Sequence, residues 1–217
     1  MLSKKKDLLI LIPALNEQKT IKKIVRELKK IGQILVIDDG SHDKTELVAK
    51  KNGAHVIKHK INLGYNEAIN TGLKFFLKKK FKKVITIDAD GQLPPKYVKI
   101  FNNHLNSKFE IICGIRSNVK RFGEKVFIFF SKIIWGLKDP LCGLKGFSYN
   151  FIKKNFNNSK LNSINTEMLI KGRKKFIMIN EIPIKNNQRK GNSRFGEGIK
   201  TDLFIIFTLI KCFVFIK

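Results

Sequence analysis

Through its first 116 residues the chain alternates short apolar runs, each closed by turn residues, with longer segments whose apolar positions recur at helical spacing. Parallel strands need a long crossover between them, usually a helix, so this alternation argues for an α/β domain built on a mainly parallel sheet. Five runs read as strands: Leu8 to Ile12, Ile34 to Ile37, His55 to Lys58, Val84 to Ile87 and Glu110 to Gly114. Most are apolar throughout, as strands covered on both faces are. Between the first two, Ile21, Ile24, Val25, Leu28 and Ile31 make one stripe, with Lys22, Lys23, Arg26, Lys29 and Lys30 outside it, which is an amphipathic helix with a basic face. Thr45 to Asn52, Glu67 to Leu77 and Lys96 to Asn106 follow as crossover helices, the last opened by Pro94 and Pro95. With 217 residues and 43% hydrophobic content, the chain can bury one substantial core, so a single domain is expected over residues 1–200.

After Arg116 the alternation stops. Lys125 to Leu137 (KVFIFFSKIIWGL) is too apolar for a helix facing water, and the C-terminal segment 201–217 is similar, mostly large apolar side chains interrupted by Lys211. Both are shorter than the roughly 20 residues a spanning helix needs. Either they pack in the core or they lie on a membrane surface. Lys plus Arg number 44 against 17 Asp plus Glu, a net charge of +27 that attracts polyanions. Nucleic acid, anionic headgroups and phosphate substrates all answer that description, and so does the compositional bias of a genome, so charge alone selects no function. The three cysteines, Cys113, Cys142 and Cys212, show no metal-ligand spacing, which fits a reducing compartment and no structural zinc. The opening MLSKKKDLLILIPALNE has an apolar run too short for a signal peptide, so the mature protein is expected to begin where the sequence begins.

The chemistry gathers where strands end. The first predicted strand runs into Pro13-Ala14-Leu15-Asn16-Glu17, the second into Asp38-Asp39-Gly40-Ser41 and the fourth into Asp88-Ala89-Asp90-Gly91-Gln92. In an open α/β sheet ligands bind at the carboxyl ends of strands, and three parallel strands place all three motifs on one edge. Carboxylates crowded there raise one another's pKa unless a cation neutralises them. Asp88, Asp90 and the Gln92 amide oxygen are hard ligands suited to Mg²⁺ or Mn²⁺, few enough to leave positions for substrate phosphates. Gly91 permits the turn that returns Gln92 toward the same place. In Asn62 to Ala68, a glycine before a helix start offers N–H groups that favour a phosphate. No GxGxxG follows the first strand, which counts against an ordinary dinucleotide oxidoreductase.

The segments PALNE, DDGSHDKT, NLGYNEAINTGL, DADGQLPP, DPLCGLKGF and NTEMLIKGRKKF…EIPI…RKGNSRFG occur in the order found in glycosyltransferase family two. More closely, the chain resembles the dolichyl-phosphate mannose synthase and polyprenyl-phosphate glycosyltransferase branch, from about Leu8 to Gly196. The resemblance implies a GT-A, Rossmann-like fold. It places Pro13, Leu15, Glu17, Ile37 and Asp39 around the nucleotide, with Asp88 and Ala89 beside the sugar-nucleotide. Asp88, Asp90 and Gln92 match its metal motif, Arg116 its phosphate-contacting arginine, and Arg189 and Arg194 its basic lid over the diphosphate. Three features depart from the family pattern: Leu15 stands where the family has an aromatic, Cys142-Gly143-Leu144 where it has Ser-Gly-Phe, and Glu124-Lys125 where it has Ser-Arg.

The implied reaction moves a hexose from a nucleoside diphosphate sugar to a polyprenyl phosphate, with inversion and a divalent metal. Asp90, Asp139 and Arg116 are the candidate catalytic groups, and Arg121, Lys125 or Lys120 could hold the acceptor phosphate. The setting is cytoplasmic, peripheral on an anionic membrane face, with an integral membrane protein as a candidate partner. An acceptor hydroxyl in polysaccharide or lipopolysaccharide synthesis is the alternative, with Asp139 as base. A nucleic-acid partner is set aside, because the clustered carboxylates would repel its phosphates.

Overall fold

The computed structural model describes residues 7–156, 163–187 and 198–216. Strands form where the apolar runs predict them: β1 (Leu8–Ala14), β2 (Gln33–Asp38), β3 (His55–Lys58), β4 (Lys83–Thr86) and β5 (Ile111–Arg116). Two more, β6 (Lys145–Ser148) and β7 (Ile179–Ile184), complete a seven-stranded sheet in the order β3-β2-β1-β4-β6-β5-β7. β6 runs antiparallel to β4 and β5, and every other pairing is parallel. Both added strands are poor in strand signal. β6 is the four residues Lys-Gly-Phe-Ser, and β7 carries Pro183, which an edge strand tolerates because its missing N–H need pair with nothing.

Helix α1 (Ile21–Leu28) buries Ile21, Ile24, Val25 and Leu28 of the predicted stripe, while Ile31 falls in the turn after it, half-buried against the core. The helices α2 (Thr45–Lys51), α3 (Tyr65–Lys79) and α4 (Lys96–His104) provide the next crossovers. All seven residues of β1 are buried, as its central place between two parallel neighbours requires. β1, β2 and β4 are mutually parallel, so their carboxyl ends and the motifs following them share one edge.

The second half adds α5 (Phe122–Trp135), α6 (Tyr149–Asn155), α7 (Ile164–Lys174) and α8 (Ile199–Phe215). α5 and α8 lie side by side in the same direction. The Gly123 amide donates to Asp202 Oδ1 at 2.9 Å near both starts, and Ile134, Trp135 and Phe213 line one cleft near both ends. α8 buries only Thr208, Leu209 and Cys212 along its length. Leu203, Phe204, Phe207, Ile210, Phe213 and Phe215 stay exposed, as do Phe122, Phe129, Phe130 and Ile133 of α5. Both helices therefore pack on the domain by a narrow stripe and present a wide apolar one outward. Among the described residues no helix is long and apolar enough to cross a membrane.

Candidate active site

The loops after β1 and β2 are sewn together. Asn16 N donates to Ser41 Oγ at 2.9 Å, Glu17 N to Thr45 Oγ1 at 2.7 Å, and His42 N to Asn16 Oδ1 at 2.9 Å, while Asn16 itself takes a left-handed φ of 53°. Asp39 is buried with both oxygens bonded: Oδ1 meets His59 Nδ1 at 2.7 Å and accepts from Leu63 N at 3.0 Å, and Oδ2 accepts from Gly64 N at 2.8 Å. Two N–H groups just ahead of α3, in the stretch the sequence offered to a phosphate, thus go to a carboxylate of the protein. Asp38 Oδ1 accepts from Ser41 N, and its buried Oδ2 has no partner among the described residues.

The motif after β4 opens on a cavity of about 1140 Å³ whose lining includes Pro13, Asp88, Ala89, Asp90, Gln92, Arg116, Lys120 and Arg121. Gly91, at φ 76°, makes the turn that lets Gln92 N donate to Asp90 Oδ1 at 3.0 Å. Tyr65 reaches in from α3 and donates to Asp88 Oδ1 at 3.2 Å. Burial first, then the neighbouring Asp90 carboxylate, push the Asp88 carboxyl up to about 6, against the charge of Lys145 and the Tyr65 hydroxyl. Two carboxylates side by side on the cavity wall are a donor set that fits a hard divalent cation. Among the described residues no third His, Cys, Asp or Glu joins them, so such a cation would keep most of its coordination for Gln92, water and substrate oxygens.

Arg116, at the end of β5, is held by a fork. Its Nε donates to Asp139 Oδ2 at 2.8 Å, Nη2 to Asp139 Oδ1 at 2.9 Å and Nη1 to Glu124 Oε2 at 3.1 Å. Burial works against its charge, and the Asp139 bonds outweigh that, leaving the guanidinium permanently protonated. Asp139 is 1% exposed with both oxygens committed to Arg116, so it fixes the arginine in place. Glu124 does line the cavity, and it sits 3.9 Å from Arg121 as well.

The family model described as "Glycosyl transferase family 2" matches residues 9–170. The chain belongs to that family. An uncharacterised protein of Methanocaldococcus jannaschii is 34% identical, over 97% of this chain and 94% of its own length. The UDP-N-acetylglucosamine–dolichyl-phosphate N-acetylglucosaminyltransferase of Methanococcus voltae is 28% identical over 93% and 94%. Among solved structures, the glucosyl-3-phosphoglycerate synthase of Mycobacterium tuberculosis, in complex with Mn²⁺, UDP-glucose and phosphoglyceric acid, superposes with a TM-score of 0.76 at 17% identity, covering 95% of this chain and 79% of the synthase. The fold is GT-A, as the motifs implied.

In this family 2 glycosyltransferase the residues expected to bind the sugar-nucleotide divide into two groups. Pro13, Asp88, Ala89 and Arg116 stand on the cavity wall, whereas Leu15, Glu17, Ile37 and Asp39 lie at the ends of β1 and β2 beyond it. Of the acceptor-side cations Lys120 and Arg121 line the cavity, and Lys125 is exposed on α5 away from it. Arg189 and Arg194 lie outside the described residues. Sequence reading passed over His59, Tyr65, Lys145 and Asn165. Lys145 carries no signal in the sequence beyond interrupting Leu144 to Phe147; in the structure it is held at 2% exposure, where a lysine needs a partner. Its Nζ donates to the Cys142 carbonyl, and its charge reaches Asp88.

Proposed function

We propose that the transferase moves a hexose from a nucleoside diphosphate sugar to the phosphate of a polyprenyl carrier, at the cytoplasmic face of a membrane. The observation that carries this reading is the single cavity that joins the acidic Asp88-Asp90-Gln92 wall to the cations Lys120 and Arg121. The apolar helices α5 and α8 both contribute to its walls. The likeness to a dolichyl-phosphate sugar transferase supports the acceptor class, and Mn²⁺ beside UDP-glucose in the mycobacterial synthase supports a divalent metal.

An acceptor phosphate oxygen attacks the anomeric carbon, the bond from that carbon to the diphosphate oxygen breaks, and the nucleoside diphosphate leaves with the electron pair, inverting the centre. The nucleophile is already ionised at neutral pH, so the chain's task is positioning and charge neutralisation. Asp88, Asp90 and Gln92 would hold Mg²⁺ or Mn²⁺, which when bound neutralises the leaving diphosphate. Arg116, oriented by Asp139, adds a fixed positive charge, and Arg189 and Arg194 are assigned to the same diphosphate. Pro13, Leu15, Glu17, Ile37, Asp39 and Ala89 are assigned to the base, ribose and sugar side. Arg121 and Lys120 receive the acceptor phosphate, with Lys125 free to face the membrane.

The exposed aromatic and aliphatic side chains of α5 and α8, together with the +27 charge, suit a chain resting on anionic lipid. An integral membrane partner could share that surface. Product analysis tests the chemistry: mass spectrometry and NMR of the lipid product should show one hexose on a polyprenyl phosphate with the anomeric configuration inverted. A retained anomer, or a glycoside of a free saccharide, overturns it.

A further inference from the structure

Asn165 opens the first turn of α7 and is 4% exposed, yet neither its Nδ2 nor its Oδ1 has a hydrogen-bond partner among the described residues. The Tyr65 hydroxyl lies near enough to feel it without completing a bond of ordinary geometry. Leaving both ends of a buried amide unpaired is costly, and native structures rarely do so without a reason. The neighbouring residues are committed: Ile164 N donates to Asn66 Oδ1 at 3.1 Å, Thr166 Oγ1 to the Pro140 carbonyl at 3.1 Å, and Glu167 pairs with Lys171 at 2.6 Å. The start of the helix is therefore pinned on both sides, and the amide that remains lines the cavity holding Asp88, Asp90, Tyr65 and Lys145.

We infer that Asn165 reads the hexose of the donor, an assignment that rests on the glycosyl-transfer reading. A carboxamide presents one donor and one acceptor side by side. Phosphates of donor and acceptor can only accept from protein groups, so they would leave the Asn165 oxygen unsatisfied. The base belongs at the ends of β1 and β2. The hexose is the part of the substrate that offers donors and acceptors together, either as neighbouring ring hydroxyls or as an acetamido group, and the Tyr65–Asp88 pair puts the same patch of wall next to the reacting end. A site made to hydrogen-bond such groups also rejects sugars lacking them, because its own amide would then stay buried and unpaired.

The test uses the full-length protein and Asn165→Leu, close in shape and without polar atoms, with Asn165→Asp as a second variant. Turnover is measured with UDP-glucose, UDP-N-acetylglucosamine and GDP-mannose, alongside calorimetric binding of UDP and GDP and thermal melting. For the donor that the wild type uses, Asn165→Leu should lower kcat/KM by roughly ten- to a hundredfold, the worth of one or two hydrogen bonds. Affinity for the bare diphosphate should stay within about twofold, and the melting temperature should hold or rise, since an unpaired buried amide has been removed. Asn165→Asp should lose more with the acetamido sugar if the amide serves that group, and shift donor preference among the hydroxyl sugars otherwise. Equal losses for diphosphate and sugar donor, no loss for either, or a markedly lower melting temperature overturn the assignment. A wild type that binds no nucleoside diphosphate overturns the transfer reading, and this one with it.

Discussion

Gly143 sits against the Asp88 carboxylate so closely that a β-carbon there would lie 1.9 Å from Oδ2 and 2.4 Å from Cγ. To reach even 3.0 Å, one partner must retreat by about 1 Å. The main chain at 143 is poorly placed to yield, since its carbonyl accepts from the buried Thr86 Oγ1 at 3.1 Å and Leu144 O accepts from Gly114 N at 3.0 Å. The carboxylate must therefore swing away, breaking its 3.2 Å bond from Tyr65. A displacement of ~1 Å in a reacting constellation costs on the order of a hundredfold in rate. The overpacking itself costs about 1–3 kcal/mol of stability, or roughly 2–4 °C of melting temperature per kcal/mol in a domain of this size. Gly143→Ala should thus lose about two orders of magnitude in kcat/KM, with roughly 2–12 °C of melting temperature. Gly146→Ala, three residues on in β6, whose β-carbon meets nothing nearer than 3.4 Å, is the control expected to keep its activity. Activity of Gly143→Ala within threefold of wild type, at any metal concentration, would refute the role given to Asp88.

Glu124→Gln should lower the KM for the acceptor phosphate about three- to tenfold, because the carboxylate now competes for Arg116 and Arg121; a loss of 10²-fold or more in kcat would instead make Glu124 a general base for a hydroxyl. The Asp88 carboxyl is raised in the folded state, so its stabilising contribution is complete below the unfolded pKa of 3.8 and is lost as pH rises through about 6. Metal-free Asp88→Asn should therefore be more stable than wild type at pH 7, by at most about 3 kcal/mol, with the difference closing by pH 4 in calorimetric melts. The double variant Phe129→Ser, Phe213→Ser should bind anionic vesicles roughly tenfold or more weakly in co-sedimentation, with its melting temperature little changed because both side chains are exposed. Equal sedimentation of variant and wild type would remove α5 and α8 from the membrane reading.

The first half of the fold was legible because its code is local. Apolar runs such as Leu8 to Ile12 need no distant partner to be recognised, and the stripe of α1 declares its own buried face. β6 and β7 were not legible, since Lys145-Gly146-Phe147-Ser148 becomes a strand only because β4 and β5 leave a gap for an antiparallel insert. The acidic wall could be read from one motif, Asp88 to Gln92. The rest of the cavity is assembled from α3, α5, β6, α7 and α8, so Tyr65, Glu124, Lys145 and Asn165 meet only through tertiary packing. Asp139 shows the same limit: its partner Arg116 is 23 positions away, and nothing in either segment says that the two form a fork.

Transfer of label into the organic phase tests the central claim most directly. Purified protein with Mn²⁺ or Mg²⁺ is given each of a panel of radiolabelled nucleoside diphosphate hexoses, with a short-chain polyprenyl phosphate or the corresponding polyprenol. Label should become extractable with at least one donor, only when the lipid carries its phosphate, and should fall to background in excess chelator. Extraction with the polyprenol, full activity in chelator, or transfer only to water-soluble saccharides would contradict the account.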